Sequence, residues 1–301
     1  MRSRRASRSG KNQAPVRPGS ARSSSASGQN GFKSCLAVVA VCIAILCVIA
    51  SSVFRCTSDS GDSSSSPEGG FFHIGSAPAY DWNNLNTVNG RYAYYANGTR
   101  VSRFGIDVSD SQGYIDWESV ASDGVEFAMV RCGYRGISDG GVYEDQYFDY
   151  NIDSAIEQGI DVGVYFYSQA TTEDEAIEEA NKCLELIAGR ELQYPVAYDF
   201  EDSLNGGGRA DGVGLEQASA NARAFCKVIE DAGYNTIIYG NQYDLYDYDS
   251  DLLDEKDVWY AEYGSVSPTS DHKFSIWQYT NEGSIDGIDT AVDLNIDLSA
   301  A

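Results

Sequence analysis

The sequence predicts an α/β fold, a shortened and modified parallel barrel, and three observations carry that reading. Apolar strand-like runs alternate with helical stretches from Phe104 to Tyr239. Beyond residue 240 three further strand-like runs follow with no long helix between them. Residues 104–301 are also fewer than the ~250 typical of a full (β/α)8 barrel.

The strands are expected at Phe104–Val108, Phe127–Cys132, Val162–Tyr167, Val196–Phe200 and Thr236–Tyr239, then at Val258–Tyr263, Phe274–Tyr279 and Ala291–Ile296. Helices are expected over Asp145–Gln158, Thr172–Ala188 and Leu215–Ala232, the last stopped by Ala232-Gly233. Ahead of the barrel, residues 71–103 form a short lead-in. Within it, RYAYYANGTRVS alternates aromatic and polar residues around Asn97-Gly98, a hairpin signal expected to pack on the main domain.

The head of the chain is different in kind. No acidic residue precedes Asp59, and nine of the 21 basic residues lie at or before Arg55, which leaves 12 against 45 acidic groups in the rest. Residues 1–34, rich in Arg, Ser and Gly, read as a disordered basic tail expected in the cytoplasm. Residues 35–54 are uncharged, and about 20 residues span a hydrocarbon core of roughly 30 Å, so an uncleaved signal anchor is expected there. A cleaved signal peptide, which would release the body, is the alternative. Residues 55–70 read as a flexible linker.

So acidic a body excludes nucleic acid as a partner, and a monomer is expected. Two histidines and no Cys-x-x-Cys spacing make a zinc site hard to build, so no metal or cofactor is expected. Cys132, Cys183 and Cys226 are expected to be buried free thiols, with a Cys183–Cys226 bridge the alternative.

Functional groups of a parallel barrel sit at the C-terminal ends of its strands. Those ends read GIDVS, carrying Asp107, YDFED, carrying Asp199 and Glu201, and AVDLN, carrying Asp293. Residues two apart on a strand share a face, so Asp199 and Glu201 point together into the barrel while Val196, Tyr198 and Phe200 face the helices. Converging carboxylates repel, and at least one then keeps its proton to unusually high pH. Glycoside hydrolysis needs that pairing of a protonated acid with an anion. Glu201, the longer side chain, is the expected acid and Asp199 the anion. The runs Asp249–Asp257 and Glu173–Glu179 read instead as solvated faces. Arg131 is expected to hold the aspartates in place. Tyr134, Tyr165, Tyr167, Tyr263 and Trp277, near strand ends, are candidates for stacking on sugar rings, with core packing the competing role.

The chain resembles the family 25 glycoside hydrolases, the lysozymes related to the fungal Chalaropsis enzyme and to phage endolysin muramidases. The resemblance rests on FGIDVSDSQGYIDW (104–117), FAMVRCGYRG (127–136), YPVAYDFE (194–201), VWYAEY (258–263), FSIWQYTNEGSIDGI (274–288) and VDLN (292–295). It implies a modified TIM-like (β/α)5β3 barrel. It also implies hydrolysis of the β-1,4 bond between N-acetylmuramic acid and N-acetylglucosamine in peptidoglycan glycan strands, outside the cell. Glu201 then takes the general-acid role, Asp199 assists, and Asp107 and Asp293 complete the acid set. Glu262 departs from relatives, which often carry Gln there, and is expected to add an acid near the pocket. A non-catalytic wall-binding module and a chitin-type N-acetylhexosaminidase are the competing readings.

Overall fold

The computed structural model describes residues 80–203 and 206–301. The expected tail, membrane anchor and linker, and the first residues of the lead-in, lie outside that range. Among the described residues no helix is long and apolar enough to cross a membrane.

Eight strands close into a barrel. Seven run parallel in turn: β4 (Arg103–Val108), β5 (Phe127–Arg135), β7 (Asp161–Ser168), β8 (Val196–Phe200), β9 (Thr236–Asn241), β10 (Asp257–Ala261) and β11 (Ile276–Gly283). The eighth, β12 (Val292–Asp297), is antiparallel to both β11 and β4 and closes the ring between them. A short strand, β6 (Val142–Glu144), hangs antiparallel on β5 outside it. Helices α1 (Trp117–Ser122), α2 (Phe148–Glu157), α3 (Glu173–Ile187), α4 (Leu215–Asp231) and α5 (Ser250–Glu255) follow the first five barrel strands. The last three strands have none, which is the (β/α)5β3 order. The six-residue helices α1 and α5 were too short for a helical period to show in the sequence.

Local chemistry sets the ends of the elements. In α3 the Thr172 hydroxyl accepts from the Glu175 amide at 3.3 Å, and three acids occupy the first turn, where the helix dipole favours them. The helix stops at Ala188 and Gly189, both with positive φ. Its buried face is Ala176, Glu179, Ala180, Cys183, Leu186 and Ile187. The expectation of a solvated acidic run therefore fails at Glu179, which is fully buried. Arg135 Nε and Ser168 Oγ donate to it at 2.7 and 2.6 Å, yet burial still raises its carboxyl to about 7. Asp249 is likewise engaged, accepting from Arg223 at 2.7 Å and capping α5. The three cysteines are free and buried, and Cys183 neighbours Cys132 (Sγ–Sγ 3.4 Å).

The lead-in forms a three-stranded antiparallel sheet, β1 (Leu85–Val88), β2 (Arg91–Ala96) and β3 (Thr99–Arg100). Asn89-Gly90 and Asn97-Gly98 both turn with φ of 52° and 80°, the geometry of tight hairpins. The sheet lies against barrel strands that carry no helix. Tyr92 stacks on Trp277 with ring centroids 5.1 Å apart, Trp82 lies parallel to Phe274, and Tyr80 donates to the Phe274 carbonyl at 2.8 Å.

Inside the ring, Phe127, Met129, Tyr194, Ala197, Ile237, Trp259 and Ile276 fill a layer beneath the mouth. Phe127 and Tyr194 stack there at 4.3 Å. Gly163 makes room for the layer: a Cβ there would sit 2.7 Å from Met129 Sδ, the Pro195 carbonyl oxygen and Tyr194 Cβ. Two of those three neighbours are backbone or backbone-proximal and cannot swing away. Replacing Gly163 with Ala is expected to cost about 1–3 kcal/mol through overpacking, read as a lower midpoint in denaturant unfolding at unchanged slope.

Candidate active site

The acids meet because of strand register. On β8 the alternation sends Val196, Tyr198 and Phe200 to the helix-side core and Ala197 and Asp199 inward. Glu201, one residue past the strand end, enters the same pocket as Asp199. Antiparallel pairing sets Asp293 of β12 directly opposite Asp107 of β4. The four carboxyls line a pocket of about 140 Å3 together with Tyr165, Tyr239, Trp259, Tyr263 and Gln278. It opens at the C-terminal ends of the parallel strands. Larger hollows exist, such as one of about 550 Å3 beside Pro195, Glu230 and Lys256. That one lies at the opposite end of the barrel, and of its acids Glu230 is paired with Lys256 and Asp257 accepts from Ser275.

Asp107 is held by amides. Asn295 Nδ2 and Gln278 Nε2 donate to its Oδ2 at 2.7 and 2.8 Å. Trp259 Nε1 donates to Asn295 Oδ1 at 2.7 Å, and the Tyr239 and Tyr263 hydroxyls donate to Gln278 Oε1 at 2.9 and 2.6 Å. These donors fix which way each amide faces. Asp199 is only 5% exposed, and its Oδ1 has no hydrogen-bond partner. Behind it, Gln169 Nε2 donates to the Glu201 carbonyl at 3.0 Å and tethers the loop after β8.

All four carboxyls are pushed upward from the ordinary carboxylate range. Burial raises Glu201 to about 7, helped by the charges of Asp244 and Asp293. Burial, then the charge of Glu201, pushes Asp199 well above the carboxylate range. Burial, then Asp293, does the same to Asp107, while burial raises Asp293 to about 6. Asp199 and Glu201 therefore share a proton at neutral pH. Asp199 is the more buried of the two, but Glu201 is the one that reaches open cleft and is placed to deliver that proton outward.

Of the expected binding residues, Tyr165 and Tyr263 line the pocket and three do not. Trp277 is fully buried on the opposite side of β11, under the hairpin, and its indole N–H donates to the Glu262 carbonyl at 3.0 Å. Alternation decides this: Ile276 and Gln278 face inward, so Trp277 between them cannot. Arg131 does not hold the pocket aspartates. It pairs with Asp110 and Asp145 at 2.5 and 2.7 Å. Tyr167 and Tyr134 line a neighbouring cavity. Glu262 adds no acid to the pocket, because its carboxylate turns into its own loop and accepts from Ser265, Thr269 and Tyr260.

Sequence reasoning missed Gln278, Asn295, Tyr239, Trp259 and Asp244. Gln278 and Asn295 carried a usable signal: Gln278 is the lone amide in the run IWQY, and Asn295 alternates with Asp293 and Asp297 against the apolar Val292, Leu294 and Ile296. Asp244 carried none among the acids around it; burial raises it to about 6, and its charge acts on Glu201.

Proton-holding carboxyls collected in a sugar-sized pocket at a barrel mouth are the equipment of a glycoside hydrolase. The chain belongs to the glycosyl hydrolases family 25, whose model matches residues 106–288. It is similar to the autolytic lysozyme of Clostridium acetobutylicum, 28% identical over 191 residues that make up 64% of this chain and 54% of that protein. Among solved structures it is similar to the modular autolysin LytC from Streptococcus pneumoniae, also solved in complex with a synthetic peptidoglycan ligand. That complex superposes with a TM-score of 0.58 at 27% identity, over 71% of this chain and 52% of that one. The bacterial lysozyme from Streptomyces coelicolor shares the fold, with a TM-score of 0.57 at 24% identity over 66% of this chain and 93% of that one. This chain thus spans about half the length of the first two relatives.

The raised acids have a stability consequence. Glu201 sits at about 7 in the fold against 4.5 for a free side chain, so the folded state binds the extra proton between those values. Its contribution is fully present below about pH 4.5 and is lost as pH rises through 7. Glu201→Gln is accordingly expected to raise stability at pH 7.5 by about 1–3 kcal/mol and to change it little at pH 4. Melting curves at the two pH values check this.

Proposed function

We propose that this chain is a muramidase that hydrolyses the β-1,4 bond between N-acetylmuramic acid and N-acetylglucosamine in peptidoglycan. The observation that carries the reading is the convergence of Asp199, Glu201, Asp107 and Asp293 on one pocket of about one sugar ring, where burial raises the Asp199 and Glu201 carboxyls. Glu201 protonates the glycosidic oxygen, and the leaving sugar departs as the C–O bond breaks. The carbonyl oxygen of the substrate's own 2-acetamido group attacks the anomeric carbon from the opposite face. Asp199 orients that group: its unpartnered, buried Oδ1 is suited to accept the acetamido N–H as positive charge develops on it. Glu201, now a carboxylate, then takes a proton from the water that opens the cyclic intermediate. Two displacements at one carbon retain the configuration.

Family membership and the relatives' names support a wall substrate, and the intact acid set favours catalysis over passive binding. The uncharged run Cys35–Phe54, with eight basic residues before it and one immediately after, supports tethering with the catalytic domain outside the cell. A tether of this kind confines action to wall near the membrane and suits turnover of the cell's own wall. Recovery of only a released, soluble form from culture would remove that part of the reading.

The test is digestion of purified wall followed by mass spectrometry of the new ends. Muramic acid at the reducing ends is expected; glucosamine there overturns the specificity. Glu201→Gln is expected to lower kcat by about 10^2 to 10^4. Proton NMR of the first-formed anomer is expected to show retention, and an inverted product rules out the acetamido route.

A further inference from the structure

The catalytic pocket, about 140 Å3, holds little more than one ring, so the rest of a glycan strand must lie against the protein outside it. Strand register shows a candidate path. Tyr143 of β6 pairs with Tyr134 of β5, Tyr134 pairs with Tyr167 of β7, and Tyr167 pairs with Asp199 of β8. Three tyrosines thus stand level on three adjacent strands and lead to Asp199. With neighbouring strands about 4.8 Å apart, the row from Tyr143 to Asp199 covers roughly 14 Å. The same three tyrosines line a cavity of about 590 Å3 beside the pocket.

The row is built rather than incidental. The rings of Tyr134 and Tyr143 lie 5.5 Å apart, and the Arg131 guanidinium sits 5.2 Å from the Tyr134 ring centre. Asp110 and Asp145 hold that guanidinium in turn. The Tyr143 hydroxyl donates to Asp139 Oδ2 at 2.7 Å, fixing the ring at the outer edge, where it is 42% exposed. Two glycines keep the ground clear: a Cβ on Gly141 would sit 2.6 Å from the Tyr143 hydroxyl, and one on Gly136 would collide with Asp139. Amphipathic rings held in place along a cleft wall suit the apolar faces of pyranose rings, with hydroxyls left for the sugar's edges.

We propose that Tyr143, Tyr134 and Tyr167 form a subsite track that binds the glycan strand on the β5–β6 side of the cleaved bond and makes the enzyme favour long strands. This rests on the muramidase reading for the identity of the strand, but it is tested by binding, which does not depend on turnover.

The experiment uses the full chain carrying Glu201→Gln and strands of alternating N-acetylglucosamine and N-acetylmuramic acid in two lengths, titrated by calorimetry. Adding Tyr143→Ala or Tyr134→Ala is expected to weaken long-strand binding about three- to tenfold per ring and to affect a disaccharide far less. Tyr143→Phe, which keeps the ring and loses the Asp139 bond, is expected to retain most of the affinity. Equal losses at both lengths, or none at either, overturn the track. Failure of the muramidase reading shows separately, as absence of cleavage by the unsubstituted chain.

Discussion

The insertion of β12 between β11 and β4 is the constraint on which the site depends. Its antiparallel register sets Asp293 opposite Asp107 and, two residues on, turns Asn295 inward, so that its amide reaches the Asp107 carboxyl. Gln278 of β11 arrives beside it for the same reason. An isolated buried carboxylate would cost several kcal/mol. Here two amides, themselves fixed by Trp259, Tyr239 and Tyr263, offset part of that cost, and burial still raises the Asp107 carboxyl. The Asp107 position is therefore a property of five strands at once, and a slip of β12 by one residue would turn Asp293 and Asn295 outward together.

The same barrel shows how the missing helices are replaced. Five strands are covered by helices on their outer faces and the last three are not, yet Trp277 and Tyr279 face outward there. The lead-in sheet covers them through Tyr92, Trp82 and Tyr80. The hairpin is thus part of the domain's core and not a spacer. This is also why the sequence misled at Trp277. In the run IWQYT the lone amide Gln278 marks the pocket side, but the large aromatic face opposite it, Trp277 and Tyr279, would suit a sugar cleft as well as a core. The answer depends on the lead-in segment around Trp82 and Tyr92, far earlier in the chain.

Where one face is apolar and the other polar, the sequence was readable. In VAYDFE the period of two separates core from acid, and the structure keeps that division. The seven parallel strands and the three long helices fall where alternation placed them, with ends shifted by a few residues. Glu179 and Glu262 were not readable, because a carboxylate that meets Arg135 or folds back on Thr269 looks the same in a sequence as one in water. Arg131 failed for a related reason. Its level on β5 was right, but two other aspartates, Asp110 and Asp145, stand nearer.

The chain's large acidic excess invites the idea that its overall field keeps Glu201 protonated. Distance argues otherwise. At physiological salt the screening length is about 8 Å, so solvent-exposed acids on remote helix faces act weakly on the pocket. Much of the arginine complement is also spent in local pairs: Arg131 with Asp110 and Asp145, Arg135 with Glu178 and Glu179, Arg209 with Glu175, Arg223 with Asp249. What remains near Glu201 is burial first, then Asp244 and Asp293. Asp293 lines the pocket and Asp244 is half-buried in the turn after β9, so both are less screened than the exposed acids. The proton on the Asp199–Glu201 pair is therefore held by a few nearby groups, and the remaining acids set solubility and not chemistry.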